Sequence, residues 1–206
     1  MIRTVLPLFI CALIGYLLGC SNMALYISHA KGIDLRQTGS KNLGASNVFL
    51  TFGIGWAVLV FLHDAGKAAL AIYVCRHLFP EFSLAGYVAG SAAVLGHILP
   101  FYLRFRGGKG FAAYLGMILT MNWRFGLVIL LLVAGITLLT NYIVIGTAMT
   151  VTAYPIYTAV MTHSILSVLV LWVASSVIIY MHRENFLRIA NGTELGLRKK
   201  KNEKQT

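Results

Sequence analysis

Leu127-Val-Ile-Leu-Leu-Leu-Val-Ala-Gly-Ile-Thr-Leu-Leu139 carries no charge and no alternation of polar with apolar residues. A lipid-facing barrel strand would alternate. A continuous apolar run of this kind, flanked by Trp123-Arg124 and Thr140-Asn141, reads as a helix in a non-aqueous environment. The rest of the chain repeats the pattern. Of its 206 residues 58% are hydrophobic and 11% charged, against about 25% charged in soluble domains. A water-soluble fold of this size has too little interior to hide so much apolar side chain. In lipid the backbone must satisfy its own hydrogen bonds, which leaves helices or closed barrels. The fold class expected is an all-α polytopic membrane protein.

Apolar runs divide the chain into about seven candidate spans, at 4–27, 48–79, 82–103, 110–122, 124–139, 142–161 and 165–181. The second is too long for one straight span. Gly53 and Gly55 predict that it begins with a short broken or interfacial helix. The fourth and fifth are short, which suggests tilt or a thinned bilayer. The first has Arg3 ahead of an apolar stretch, like a signal peptide, but no A-x-A-like site follows, so it reads as a membrane helix. Residues 1–190 are expected to form one membrane-embedded domain and 191–206 a basic tail.

Basic residues favour the cytoplasmic side. Lys31, Arg36 and Lys41, then Arg104, Arg106 and Lys109, then Arg183, Arg188, Arg198, Lys199, Lys200, Lys201 and Lys204 fall on one side of seven spans. Arg3 and Arg124 fall on the other. The N-terminus is therefore expected outside and the C-terminus in the cytoplasm. The net charge of +11 is then a topology signal plus a tail suited to anionic lipid headgroups, and no nucleic-acid partner is expected. Cys11, Cys20 and Cys75 are odd in number and widely spaced. They suggest neither a disulfide framework nor a metal site.

Polar stretches out of place in such a chain fall on the cytoplasmic side. Asp34-Leu-Arg-Gln-Thr-Gly39-Ser40-Lys41-Asn42-Leu-Gly44-Ala-Ser46-Asn47 combines glycines with side-chain donors and runs into a helix. Helix N-terminal amides attract anions, so Gly39, Ser40, Asn42, Gly44 and Asn47 form a candidate phosphate cradle. It is not a Walker A loop, because Ala45 and not Lys follows Gly44. Gly96-His97-Ile-Leu-Pro100 and Phe105-Arg-Gly107-Gly108-Lys109-Gly110 form the second stretch. There, glycine amides and an ammonium are expected to converge on one anion, and His97 is a candidate structural hydrogen-bonder. In His182-Arg-Glu-Asn185, three-residue spacing puts His182 and Asn185 on one helix face, ahead of Arg188, Gly192 and Glu194. Asp64 and Lys67 are ionisable residues inside an apolar segment, which are usually paired. Their i, i+3 spacing favours a mutual salt bridge. His29-Ala-Lys-Gly-Ile-Asp34 also spells the H-x4-D pattern of another glycerolipid acyltransferase superfamily, without the α/β architecture that pattern belongs to.

The order and spacing of these motifs, from about Gly19 to Glu194, resemble the bacterial acylphosphate-dependent glycerol-3-phosphate acyltransferases, the PlsY family. The resemblance covers Asp34 to Asn47, Asp64-Ala-Gly-Lys67, Gly96 to Pro100, Phe105 to Gly110 and His182 to Asn185. It implies a seven-helix membrane enzyme. Such an enzyme moves an acyl chain from acyl phosphate to the 1-hydroxyl of glycerol 3-phosphate, making lysophosphatidic acid, with no acyl-CoA, acyl carrier protein, cofactor or metal. Ser40, Lys109, His182 and Asn185 match family active-site positions, with Asp64, Lys67 and His97 in support, and the chain is expected to act as a monomer among membrane lipids.

Acyl phosphate is already activated, so positioning and charge stabilisation are the main demands. No strong general base is evident, which points to the donor's own phosphate as proton acceptor. The chain departs from the family pattern in having Cys20 for Ser, Leu50 for a phosphate-binding Arg, and Val144 for Ser. The second reading is a divergent member with another acceptor or no turnover. A transporter is disfavoured, since no internal repeat is visible and the polar residues lie at one face.

Overall fold

The computed structural model describes residues 2–196 and 198. The lysines expected to make the tail basic, Lys199, Lys200, Lys201 and Lys204, lie outside the described residues. The chain is helical: α1 (Ile2–Cys20), α2 (Met23–Lys31), α3 (Ala45–Phe52), α4 (Ile54–Leu78), α5 (Ala85–Ile98), α6 (Phe111–Met121), α7 (Trp123–Thr140), α8 (Ile143–Thr162), α9 (Ile165–Met181) and α10 (Arg183–Ala190). A 3-10 turn, Phe101–Leu103, follows α5.

The elements differ from expectation in several places, the third segment, 82–103, shortening to α5 and its 3-10 turn. The segment 4–27 is not one helix. It breaks at Ser21-Asn22, where the Asn22 side chain accepts a hydrogen bond from the Leu25 amide at 2.9 Å and caps α2. The last segment ends at Met181 as expected, but the chain bends by 44° and continues as α10. The long second segment does open with a short helix. Gly53, with φ 89°, separates α3 from α4, while Gly55 lies inside α4.

Among the described residues five stretches are long and apolar enough to cross a bilayer, and the bent pair α9–α10 raises this to six. Helix α6 has 11 residues, or about 16 Å at 1.5 Å per residue, short of a ~30 Å hydrocarbon core. The interior is lined with small residues. Ala68, Ala71, Ala85, Ala89, Ala93, Ala113 and Ala174 are fully buried, so helices approach closely, as packing in lipid favours. A Cβ at Gly19 of α1 would lie 2.2 Å from the Ala93 carbonyl oxygen of α5, and one at Gly116 of α6 would lie 2.3 Å from that of Ala65 in α4. The large apolar side chains are turned outward instead: Leu131, Leu139 and Ile165 are 74%, 87% and 75% exposed. Faces of this kind would aggregate in water and suit contact with lipid tails.

Candidate active site

A cavity of about 480 Å³ opens among the helices. Its polar lining includes Ser40 and Asn42 of the first loop, Ser46 at the start of α3, Lys109, and His182, Asn185 and Glu194 around and after the α9–α10 bend, with Asp64, His97, Thr137, Asn141 and Thr147 besides. Its apolar lining comes from Phe61 of α4, Leu115 of α6, Leu130 and Val133 of α7, and Ile143 and Val144 of α8. The volume is that of an ordinary small-molecule pocket, and the mixture suits a ligand with a charged head and an apolar tail.

Asn47 builds the first loop. It is fully buried. Its Oδ1 accepts from the Ser40 amide at 2.8 Å, and its Nδ2 donates to the carbonyls of Leu35, Thr38 and Asn42 at 2.9, 3.0 and 3.0 Å. The loop thus wraps around one amide side chain. At Gly39, φ is 59° and a Cβ would lie 2.3 Å from Asn47 Oδ1. Only glycine combines that backbone conformation with that approach. The side-chain polar atoms of Asn47, expected in the phosphate cradle, are all used within the loop. Ser40, Asn42 and Gly44 do line the cavity, and Gly44 N-caps α3. Gly39 stands behind them.

The second loop departs further from expectation. The Gly107 amide donates to the Ile98 carbonyl at 2.9 Å and the Gly108 amide to the His97 carbonyl at 3.1 Å. These amides satisfy carbonyls at the end of α5, which a helix C-terminus leaves open, and they are not free to hold an anion. A Cβ at Gly107 would lie 2.1 Å from the His97 carbonyl oxygen, and one at Gly108 would lie 2.1 Å from His97 Nε2. Both glycines are there for room. From this loop it is the Lys109 ammonium that reaches the cavity, where it donates to Asn185 Oδ1. Burial, with the Arg188 guanidinium adding to it and Glu194 opposing, lowers Lys109 to about 8.

Asn185 passes the contact on. Its Nδ2 donates to Glu194 Oε1 at 2.6 Å, and Arg188 Nε donates to Glu194 Oε2 at 2.6 Å. Glu194 was not among the expected site residues. No helical spacing relates it to Asn185, and only the fold-back after α10 brings it there. With it, residues 194–196 line the cavity, so the boundary expected at 191 does not bound the site. His182, at the bend, has its Nδ1 2.8 Å from the Ile178 carbonyl. A carbonyl only accepts, so Nδ1 carries the proton and Nε2 keeps its lone pair.

Asp64 and Lys67 form the anticipated pair, 3.1 Å apart and both buried. They do not stand alone. Lys67 Nζ donates to the Ser21 carbonyl at 2.6 Å and to His97 Nδ1 at 2.7 Å, and His63 Nδ1 lies 3.3 Å from Asp64. Lys67 lies behind the cavity wall, while Asp64 and His97 are part of it. Asp34 is occupied with Arg36 and Gln37, and neither it nor His29 lines the cavity, so the H-x4-D pattern makes no site. Leu50 and Val144 do line it, and among the described residues Lys109 is the one lysine or arginine in the lining. Among the described residues no group of His, Cys, Asp and Glu is arranged to hold a metal ion.

The family profile described as glycerol-3-phosphate acyltransferase matches residues 9–192. A protein of that name from Thermoanaerobacter sp. (strain X514) is 33% identical over 190 residues, covering 92% of this chain and 95% of that protein. Its namesake from Synechococcus sp. (strain CC9902) is 39% identical over 185 residues, covering 88% and 90%. The crystal structure of PlsY (YgiH), an integral membrane glycerol 3-phosphate acyltransferase, in its glycerol 3-phosphate form superposes with a TM-score of 0.86 at 31% identity, over 93% of this chain and 96% of that one. Its lysophosphatidic acid form gives 0.82 at 30% identity, over 92% and 94%. Sequence and fold agree along nearly the whole length, and the chain belongs to the glycerol-3-phosphate acyltransferase family.

Proposed function

We propose that this chain transfers a fatty acyl group from acyl phosphate to the 1-hydroxyl of glycerol 3-phosphate, releasing lysophosphatidic acid and inorganic phosphate. The observation that carries the reading is a half-buried ammonium, Lys109, held by Asn185 in a cavity whose apolar lining comes from four helices. The relatives' names supply the acceptor. The acyl phosphate donor is inferred from the absence of a base strong enough for an unactivated ester and from the family resemblance.

In the step proposed, the acceptor hydroxyl oxygen forms a bond to the acyl carbon, the bond from that carbon to the phosphate oxygen breaks, and the hydroxyl proton passes to the departing phosphate. Lys109, Ser40 and the start of α3 hold phosphate oxygens. The lone pair of His182 Nε2 accepts the hydrogen bond of the acceptor hydroxyl before attack and so orients it; as the new bond forms, that proton turns from His182 to the departing phosphate. Phe61, Leu115, Leu130 and Val133 contact the acyl tail. Cofactors and metals have no part in this scheme.

The basic residues favour seven spans with the N-terminus outside, the cavity facing the cytoplasm, and a basic tail at 191–206. We read the active unit as a monomer. The test is phosphate release by detergent-purified protein. It is expected only when acyl phosphate and glycerol 3-phosphate are both present, with lysophosphatidic acid as the lipid product and acyl-CoA inert. Absence of transfer to every small phosphorylated alcohol, at high enzyme concentration, would overturn it. Leu50 and Val144 favour one second reading, a different small acceptor, and the same screen identifies it.

A further inference from the structure

His97 and His182 both line the cavity and both are nearly sealed from solvent, at 3% and 7% exposure. Their neighbours impose opposite ring states. His182 gives its Nδ1 proton to a carbonyl. His97 Nδ1 instead faces the Lys67 ammonium at 2.7 Å, and that ammonium is held by Asp64 at 3.1 Å and by the Ser21 carbonyl at 2.6 Å. An ammonium has protons to donate and no lone pair. Asp64 Oδ1 also lies 3.4 Å from that nitrogen, but the ammonium is nearer and makes the hydrogen bond, so His97 Nδ1 is read as the acceptor, with the ring proton of the neutral imidazole on Nε2.

That Nε2–H is placed for use. It packs against Gly108, the residue before Lys109, where any side chain would collide with it at 2.1 Å. Among the described residues no hydrogen-bond partner is assigned to it, yet it is not one of the sealed orphan atoms, which are the hydroxyls of Thr51 and Thr137. The amides of Gly107 and Gly108, the other donors of this loop, are spent on α5. On the function proposed above, we propose that His97 is a substrate-binding residue, a neutral N–H donor to a phosphate oxygen beside Lys109, and that Lys67 is the positioning residue that fixes its tautomer. Lys67 thereby acts on the substrate without touching it. The cavity then pairs one histidine that donates, His97, with one that accepts, His182, and a phosphate and a hydroxyl are sorted between them.

The test reads the wild-type protein first. Histidine ring-¹⁵N labelling in detergent is expected to show His97 protonated on Nε2 and His182 on Nδ1, and inorganic phosphate is expected to shift the His97 Nε2–H signal. A proton on His97 Nδ1, or an Nε2–H signal that saturating phosphate leaves in place, would overturn the inference. Because this measurement needs no turnover, a failed acyl-transfer assay counts against the proposed function and not against this donor. Two variants then separate donor from scaffold. His97→Asn keeps an acceptor for Lys67 but has no donor at the Nε2 position, and should lose about 10–100-fold in kcat/KM, the weight of a hydrogen bond to a charged group. His97→Gln places an amide N–H near the Nε2 position and should recover most of that loss. Equal losses in the two variants, each melting with the wild type, would show a structural histidine only.

Discussion

The two glycine-rich loops look alike in sequence and work differently. In the 39–47 loop, glycine at Gly39 permits a left-handed backbone and lets the chain close around Asn47, while Ser40, Asn42 and Gly44 face the cavity. In the 106–110 loop, Gly107 and Gly108 bond back to the end of α5 and leave space for a carbonyl and an imidazole. One loop presents its own atoms to the cavity. The other is a tight bracket that presents one side chain, Lys109, and uncovers another, His97. A glycine pattern therefore says that backbones come close and not what they come close to.

Removing the presented group tests the comparison most severely. Lys109→Ala should cost about 100–1000-fold in kcat, as loss of a preorganised charge stabiliser does, and wild-type turnover in that variant would remove Lys109 from the site. Changes in the two loop frames should act through stability. Asn47→Ala leaves the Ser40 amide and loop carbonyls unpaired and should lower stability by about 2–3 kcal/mol. Gly107→Ala forces a methyl into the His97 carbonyl and should cost about 1–3 kcal/mol. Thermal melts in detergent check both, and a Gly107→Ala protein that melts normally but has lost phosphate affinity would restore an anion-binding role to that amide.

Acidity gives a finer test. Lys109 is lowered to about 8, and a lysine loses its charge as pH rises through its pKa. Turnover should fall above about pH 8, approaching tenfold per pH unit, while Lys109→Arg, if active, should show no such fall. The smallest effect is expected where charge is added. Leu50→Arg puts a second cation in the lining and should lower the KM for glycerol 3-phosphate by up to about tenfold. An unchanged KM would mean another acceptor or another group in that role.

Helix placement was legible to a residue or two wherever packing in lipid dominates. The runs 124–139, 142–161 and 165–181 became Trp123–Thr140, Ile143–Thr162 and Ile165–Met181, because a long apolar run has no alternative to a helix in lipid. Helix ends were less legible where a single polar side chain decides them. Asn22 caps α2 and splits the first segment, and nothing in the apolar pattern announces that. Within the site, Ser40, Asn42, Lys109, His182 and Asn185 were readable as polar residues in expensive places. Glu194 was not, since its contacts with Asn185 and Arg188 span a turn that follows no helical period.

By itself the sequence determined the class of the protein, most of its helices and most of the polar residues that had to be gathered, because composition and hydrophobic periodicity are local properties and lipid enforces them. Tertiary structure alone decided how each polar atom is used. It assigned the Gly107 and Gly108 amides to α5, Asn47 to the interior of its loop, and the Nδ1 atoms of His97 and His182 to different partners, an ammonium and a carbonyl. Hydrogen bonding is directional and saturable, so an atom's role follows from which partner reaches it first, and partners 30 or 76 residues apart, as for Lys67 with His97 and Lys109 with Asn185, meet only in the folded chain.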